Sequence, residues 1–182
     1  MEYGDTYGAK RSIVDRMRGA AMLDVATYEE VENDLTATGQ AGVVVAIVAV
    51  CSAIGGASHG LMGIVGGLIS SLLGWLIWSG VTYFVGTKLF GGTAAWGELL
   101  RTLGFARSPG VLLILGIIPL LGRVVSLVVW LWILAAGIVA IRQALDITTG
   151  KAVLTAVVSW LASIIPFMIL GLLGMGVSFI SR

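Results

Sequence analysis

The chain has 182 residues, 58% hydrophobic and 12% charged, with a net charge of +1 and a mean hydropathy of +1.01. A water-soluble domain carries about twice that charged fraction, so the composition excludes a soluble globule, and with no basic tract it gives no footing for nucleic acid. The single cysteine, Cys51, and the single histidine, His59, exclude an internal disulfide and a His/Cys metal cage.

The first forty residues are polar and hold eight of the ten acidic side chains. A cleavable leader is not expected, because this polar stretch precedes the first apolar block. In RSIVDRMRGAA, Ile13, Val14, Met17 and Ala21 share one helical face while Arg11, Arg16 and Arg18 lie elsewhere. That pattern predicts a short helix resting on an anionic leaflet. Thr27-Tyr28-Glu29-Glu30 has the spacing of a capping box and predicts an acidic helix ending near Leu35. A solvated tail over 1–38 without fixed helices is the alternative.

Four apolar blocks follow, at 41–57, 61–87, 110–141 and 152–180. Their apolar runs are continuous rather than alternating, which selects membrane-spanning helices over a barrel. The third block contains Pro119, Gly122 and Arg123, so it reads as two helices turning near Arg123. The expectation is an all-α integral membrane bundle of five helices, with residues 110–122 short for a full span. With the N-terminus inside, nine basic residues fall inside and two outside. If 110–122 were re-entrant the split would again be nine to two, so charge alone does not choose.

In the second block, Gly63, Gly67 and Ser71 recur at four-residue intervals, as do Gly66, Ser70 and Gly74. Such small faces suit close helix packing, within the chain or between copies in a homo-oligomer. Ala136, Ala140 and Ala144 repeat the spacing later, and Pro166 is placed to kink the last helix.

Between the second and third blocks lies GGTAAWGELLRTLGFARSPG. Trp96, Leu99, Leu100 and Leu103 recur at i, i+3, i+4 and i+7, with Glu98 and Arg101 on the other side. The pattern predicts an interfacial amphipathic helix over 93–103, capped by Thr93 and ended by Gly104. Lys88, Glu98, Arg101, Arg142 and Asp146 should form a cytoplasmic-face charge cluster with a structural or interaction role. Nothing assembles a nucleophile, base and orienting group, and no phosphate-binding loop occurs. No catalytic residue, metal ligand or cofactor site is therefore expected. Ionisable groups suited to a midplane transport site are also wanting, since Lys88, Arg142 and Asp146 fall at helix ends.

The runs GTKLFGGTAAWGELLRTLGFARSPGVLLILGIIPLLG and WILAAGIVAIRQALDITTGKAVLTAVVSW resemble the Yip family of Ypt/Rab-interacting membrane proteins, in its prokaryotic form. Gly86-Thr87-Lys88, Glu98 to Arg101, Gly104-Phe105-Ala106, Ala140 to Asp146 and Gly150-Lys151-Ala152 carry the likeness, which extends over about residues 20–180. The resemblance implies a cytoplasmic N-terminus, five membrane segments over 39–182 and a prokaryotic cytoplasmic membrane. The Asp-Leu-Tyr-Gly-Pro motif of the eukaryotic branch is absent, and NDLTATGQ shares only Asp34 and Leu35 with it. The expected function is non-enzymatic, organising membrane or scaffolding protein partners at the cytoplasmic face. The alternative is a small transporter, channel or lipid-moving protein.

Overall fold

The computed structural model describes residues 11–56, 60–118 and 120–180, with side chains as far as Ile169. Lys10, His59, Pro119 and Arg182 lie outside the described residues. Every described element is helical: α1 (Ile13–Ala21), α2 (Val25–Asn33), α3 (Ala37–Gly55), α4 (Gly60–Leu89), α5 (Trp96–Phe105), a 3-10 segment (Ser108–Ile117), α6 (Leu121–Ala144) and α7 (Thr149–Ile180). Five stretches are long and apolar enough to cross a membrane: α3, α4, Trp96–Ile117, α6 and α7 through Ile169. This is the architecture of an integral membrane protein.

The third of these stretches resolves the difficulty posed by the short 110–122 block. It combines α5 with the 3-10 segment. An α-helix rises about 1.5 Å per residue and a 3-10 helix about 2.0 Å. Ten residues of each amount to about 35 Å of helical rise, so by length and composition the combined stretch suffices for a ~30 Å hydrocarbon core, with a turn at Ala106–Arg107 between its halves. The break before α6 falls at Leu120, whose φ of 67° is left-handed, rather than at Arg123, which sits in the first turn of α6.

Glycines permit the closest approach in this part of the fold. A Cβ on Gly55 of α3 would lie 1.8 Å from the carbonyl oxygen of Leu113, and one on Gly116 would lie 2.8 Å from the carbonyl of Gly55. A methyl group at Gly55 meets backbone, which cannot swing aside, so the glycine fixes how the 3-10 segment nests on α3. Gly104 does not end α5; it lies against Ala41 of α3, where a Cβ would come within 2.6 Å of the alanine methyl. The glycines expected to pack α4 behave differently. A Cβ on Gly66 or Gly67 would have no neighbour within 4 Å, and one on Gly74 would lie 3.8 Å from the Phe167 ring of α7. Gly63 and Ser71 are half-buried, while Ser70 is exposed. Ala136, Ala140 and Ala144 are buried in α6 as their spacing suggests. Pro166 is accommodated inside a continuous α7.

The polar N-terminal region folds onto the bundle. Helix α1 is started by Ser12, whose hydroxyl accepts from the Asp15 amide while the Asp15 carboxylate accepts from the Ser12 amide. Helix α2 is started by Asp24, which accepts from the Ala26 amide. Thr27, expected as the cap, lies inside α2 and donates back to Asp24 at 2.7 Å. Helix α2 packs on α5 and α6, and α1 packs on α2, the 3-10 segment and α5. Tyr28 and Val31 become fully buried, each stabilising the docking by about 1.5–3 kcal/mol.

The basic helix α1, expected on a leaflet, is tied to α2 and α3 through one of its arginines. Arg16 is fully buried. Its guanidinium donates to Glu30 at 2.8 and 3.0 Å, to Asp34 at 2.8 Å and to Gln40 at 2.9 Å. Val14 and Met22, each 67% exposed, remain on the outer side of α1 beside exposed Arg18.

Candidate functional site

Of the charged residues singled out by the sequence, Glu98, Arg101 and Asp146 lie near Glu32 of α2. Two turns build this face. After α4, Gly91 takes a positive φ of 72°, and the Gly92 amide donates to the Gly86 carbonyl at 3.0 Å. After α6, Asp146 takes a φ of 52°. Leu145 is fully buried against Gly86 and Gly92, where a Cβ on either would lie within 2.6 Å of its side chain. The Thr93 amide donates to the Leu145 carbonyl at 3.2 Å, and its hydroxyl donates to the Asp146 carboxylate at 3.4 Å. Thr93 thus joins the two turns instead of capping α5. Lys151 adds a further tie, its Nζ donating to the Phe90 carbonyl at 3.1 Å.

Helix α5 starts at Trp96, and Glu98 caps it by accepting from the Ala95 amide at 2.7 Å. Leu99, Leu100 and Leu103 are buried among neighbouring helices, while Trp96 is half exposed. The apolar stripe therefore faces the bundle core, as α5 packs on α2, α3, α4 and α6. Trp75 of α4 fixes its depth, with the indole Nε1 donating to the Leu100 carbonyl at 3.0 Å.

Arg101 is 4% exposed and reaches out of α5 to the end of α2. Its Nε donates to the carbonyls of Val31 and Glu32 at 3.0 Å each, and its Nη2 also donates to Glu32. The last carbonyls of a helix lack intrahelical donors and carry the negative end of its dipole. A guanidinium supplies both the donors and the charge, so Arg101 acts as a C-cap delivered from another helix.

Among the described residues, no ion pair joins any two of Lys88, Glu98, Arg101, Arg142 and Asp146. Lys88 is exposed at the end of α4. Arg142 donates to its neighbour Gln143 at 3.0 Å, and Gln143 in turn donates to Glu29 of α2 at 3.2 Å. What gathers Glu98, Arg101 and Asp146 is Glu32. Burial pushes the Glu32 carboxyl up to about 7, Glu98 and Asp146 add to the rise, and Arg101 opposes it. Glu98, Asp146 and Arg101 thus act on Glu32 from α5 and the α6–α7 turn, while the Arg101 guanidinium is engaged with backbone carbonyls of α2. The Asp/Glu groups form no set suited to a metal ion among the described residues.

A family model described as the Yip1 domain matches residues 26–171. The chain belongs to the Yip1 domain family. The matched range begins inside α2 and ends within α7, so it takes in the docked second helix together with all five apolar stretches. No curated protein and no solved structure matches the chain.

Sequence reasoning did not single out Glu32, Gln143 or Arg16 as members of this face. Glu32 is one of three acidic residues in one short helix, and nothing in that run marks which one comes to face Glu98 and Asp146. Arg101 could be selected by its spacing, but its acceptors could not, since carbonyl groups carry no residue-type signal.

Proposed function

We propose that this Yip1-family protein is a non-enzymatic membrane organiser that scaffolds protein partners through its cytoplasmic face. The observation that carries the proposal is the docking of α2 by Arg101. It makes the polar tail part of the folded surface rather than a free appendage. That surface displays Glu29, Lys88, Asp146 and Lys151, charges of both signs held on turns fixed by Leu145 and Thr93. Binding residues are commonly carried on loops positioned by a rigid scaffold. The charge cluster is assigned an interaction role, and the N-terminus and the 148 turn lie inside a prokaryotic cytoplasmic membrane, with the C-terminus outside. Residues 1–38 act as the docking tail of a membrane domain spanning 39–182. The exposed small-residue face of α4 is available for pairing with a second copy.

Topology tags at position 148 and at the C-terminus should report inside and outside, respectively. Affinity capture from native membranes should recover a recurring protein partner that is lost when residues 1–35 are deleted or when Glu29 and Asp146 are neutralised together. Robust solute, ion or lipid movement by purified protein in liposomes, abolished by Glu98 or Asp146 substitutions, would overturn the scaffold reading in favour of a transporter.

A further inference from the structure

The exposed apolar surface of this bundle has different heights on its two flanks. Along α4 it runs from Leu61 to Phe84, about 35 Å of helix. On α7 it begins at Val153 and Leu154, directly after Lys151 at the end of the bundle covered by the tail. The flank of α6, the 3-10 segment and α3 carries a much shorter band. It runs from Leu121 to Leu134 in α6, from Leu112 to Ile117 in the 3-10 segment and from Val43 to Ile54 in α3. These stretches measure about 20, 10 and 17 Å along their helices. Beyond Leu134 every residue of α6 to its end is buried or half-buried, and α1, α2 and α5 all pack on this helix.

Two contacts fix the level at which the short band ends. The Trp132 Nε1 donates to the Ala21 carbonyl at 2.6 Å, so the end of α1 lies beside α6 about 18 Å from Ala144. A Cβ on Gly110 would lie 3.3 Å from Ile133. Arg107, one 3-10 turn earlier in the chain, is about 6 Å nearer the tail. Two guanidiniums at this level make no hydrogen bond or ion pair among the described residues. They are Arg18, exposed in the last turn of α1, and Arg107, half-buried before the 3-10 segment. Asp15, the acid of α1, is engaged by Ser12.

An arginine held unpaired in hydrocarbon is costly, so water and headgroups must come down to this level. A ~30 Å core exceeds the α6 band by about 10 Å, and a bilayer thins beside a short apolar band at modest cost per Å. Raising the whole bundle does not remove the mismatch. It would strand the apolar ends of α4 and α7 in water and leave the α6 band as short as before. We propose that the face formed by α1, Arg107 and Trp132 seats the phosphate headgroups of the leaflet next to the tail, which descend there to about the middle of α6. The bilayer is thinned by about 10 Å on this flank and keeps its full thickness beside α4 and α7. Arg18 and Arg107 pair with lipid phosphates, and Trp132 takes the interfacial position that indoles favour. Val14 and Met22, exposed on the outer side of α1, reach the upper acyl chains.

The test uses the full chain in nanodiscs of phosphatidylcholine and phosphatidylglycerol, with Cys51→Ala removing the natural thiol. A spin label is attached through Leu134→Cys or Val157→Cys, both at exposed positions. Leu134 is about 15 Å from the end of α6, and Val157 about 9 Å from Lys151. A flat bilayer would therefore place label 134 about 6 Å deeper than label 157. The proposal reverses that order. Label 134 should be relaxed by a water-soluble nickel complex, as at headgroups, and label 157 by dissolved oxygen, as in hydrocarbon. Arg18→Leu combined with Arg107→Leu should return label 134 to hydrocarbon and abolish its nickel relaxation. Label 134 deeper than label 157, or nickel relaxation unchanged by the arginine substitutions, would overturn the proposal. If the double variant does not fold, Arg18→Leu alone is read in its place. A partial loss of nickel relaxation at label 134 supports the headgroup seat, and no loss overturns it.

Discussion

The two polar regions buried in this molecule follow opposite rules. At the tail-bearing face the buried group is charged, and Arg16 finds two carboxylates and an amide oxygen within 3.0 Å. In α4 and α7 the buried polar groups are neutral hydroxyls, and Ser79, Thr82, Thr155 and Ser159 have no hydrogen-bond partner. A buried charge without partners costs several kcal/mol or more, whereas a lone hydroxyl costs about 1–3 kcal/mol, which a bundle with extensive apolar packing tolerates. The pairing at one site and its absence at the other therefore mark different tasks. The arginine network holds the tail on the bundle, and the hydroxyls of α4 and α7 are carried at modest cost inside an apolar core.

The contrast is broken most severely at Arg16. Arg16→Ala removes the buried guanidinium from Glu30 and Asp34, although Arg11 still reaches Glu30 at 3.1 Å, and should destabilise the docked tail by about 3 kcal/mol, the low end for a broken buried pair. Limited proteolysis should then cleave between α1 and α3 while the five apolar helices persist. Arg101→Ala comes next, removing charge-assisted bonds to the end of α2 at a cost of about 1.5–3 kcal/mol. Thermal unfolding in detergent would read both, and equal melting of either variant and the natural chain would remove the basis for a tightly held tail.

In α4 and α7 the sign should reverse. Ser79→Ala combined with Thr155→Val replaces unpaired hydroxyls by apolar groups of similar shape and should raise stability by about 1 kcal/mol in lipid-free detergent. A fall of that size or more would mean that the hydroxyls are already satisfied, and the contrast between the two regions would disappear.

The smallest expected effect is a pH dependence at Glu32. Its folded value of about 7 lies above the ordinary 4.5, so the folded form holds the proton more tightly. The associated stability is fully present below about pH 4.5 and is lost as pH rises through about 7. Protease resistance of the tail should therefore decline between pH 5.5 and 8, and Glu32→Gln should flatten that decline. A tail that tightens with rising pH would contradict the placement of Glu32 among Glu98 and Asp146.

Much of this architecture is written in the chain. The apolar runs place α3, α4, α6 and α7, because a membrane helix must be apolar on every lipid-facing side, and residues 96–103 show their stripe openly. The lower half of the third apolar stretch is less legible. A reading based on the α-helical rise underestimates the length of Ser108–Ile117, which is wound as 3-10 helix. The partners of Arg16 are also hidden, since an arginine on a short amphipathic helix reads as solvent-exposed until α2 folds over it. Ser12 and Asp24 were available signals, as each precedes its helix at the capping position, yet Thr27 with Glu30 competes with them on spacing alone. In α4 and α7, Ser79, Thr82, Thr155 and Ser159 look like ordinary small residues of membrane helices. Only their burial together without partners distinguishes them.

The central claim is that the polar tail is a docked part of the membrane fold and forms its working face. Hydrogen–deuterium exchange of the protein in nanodiscs tests it most directly. The α2 amides should be strongly protected in the natural chain and lose that protection in Arg101→Ala, while α3, α4, α6 and α7 exchange as before. Fast exchange throughout residues 25–33 of the natural chain, unchanged by Arg101→Ala, would contradict it.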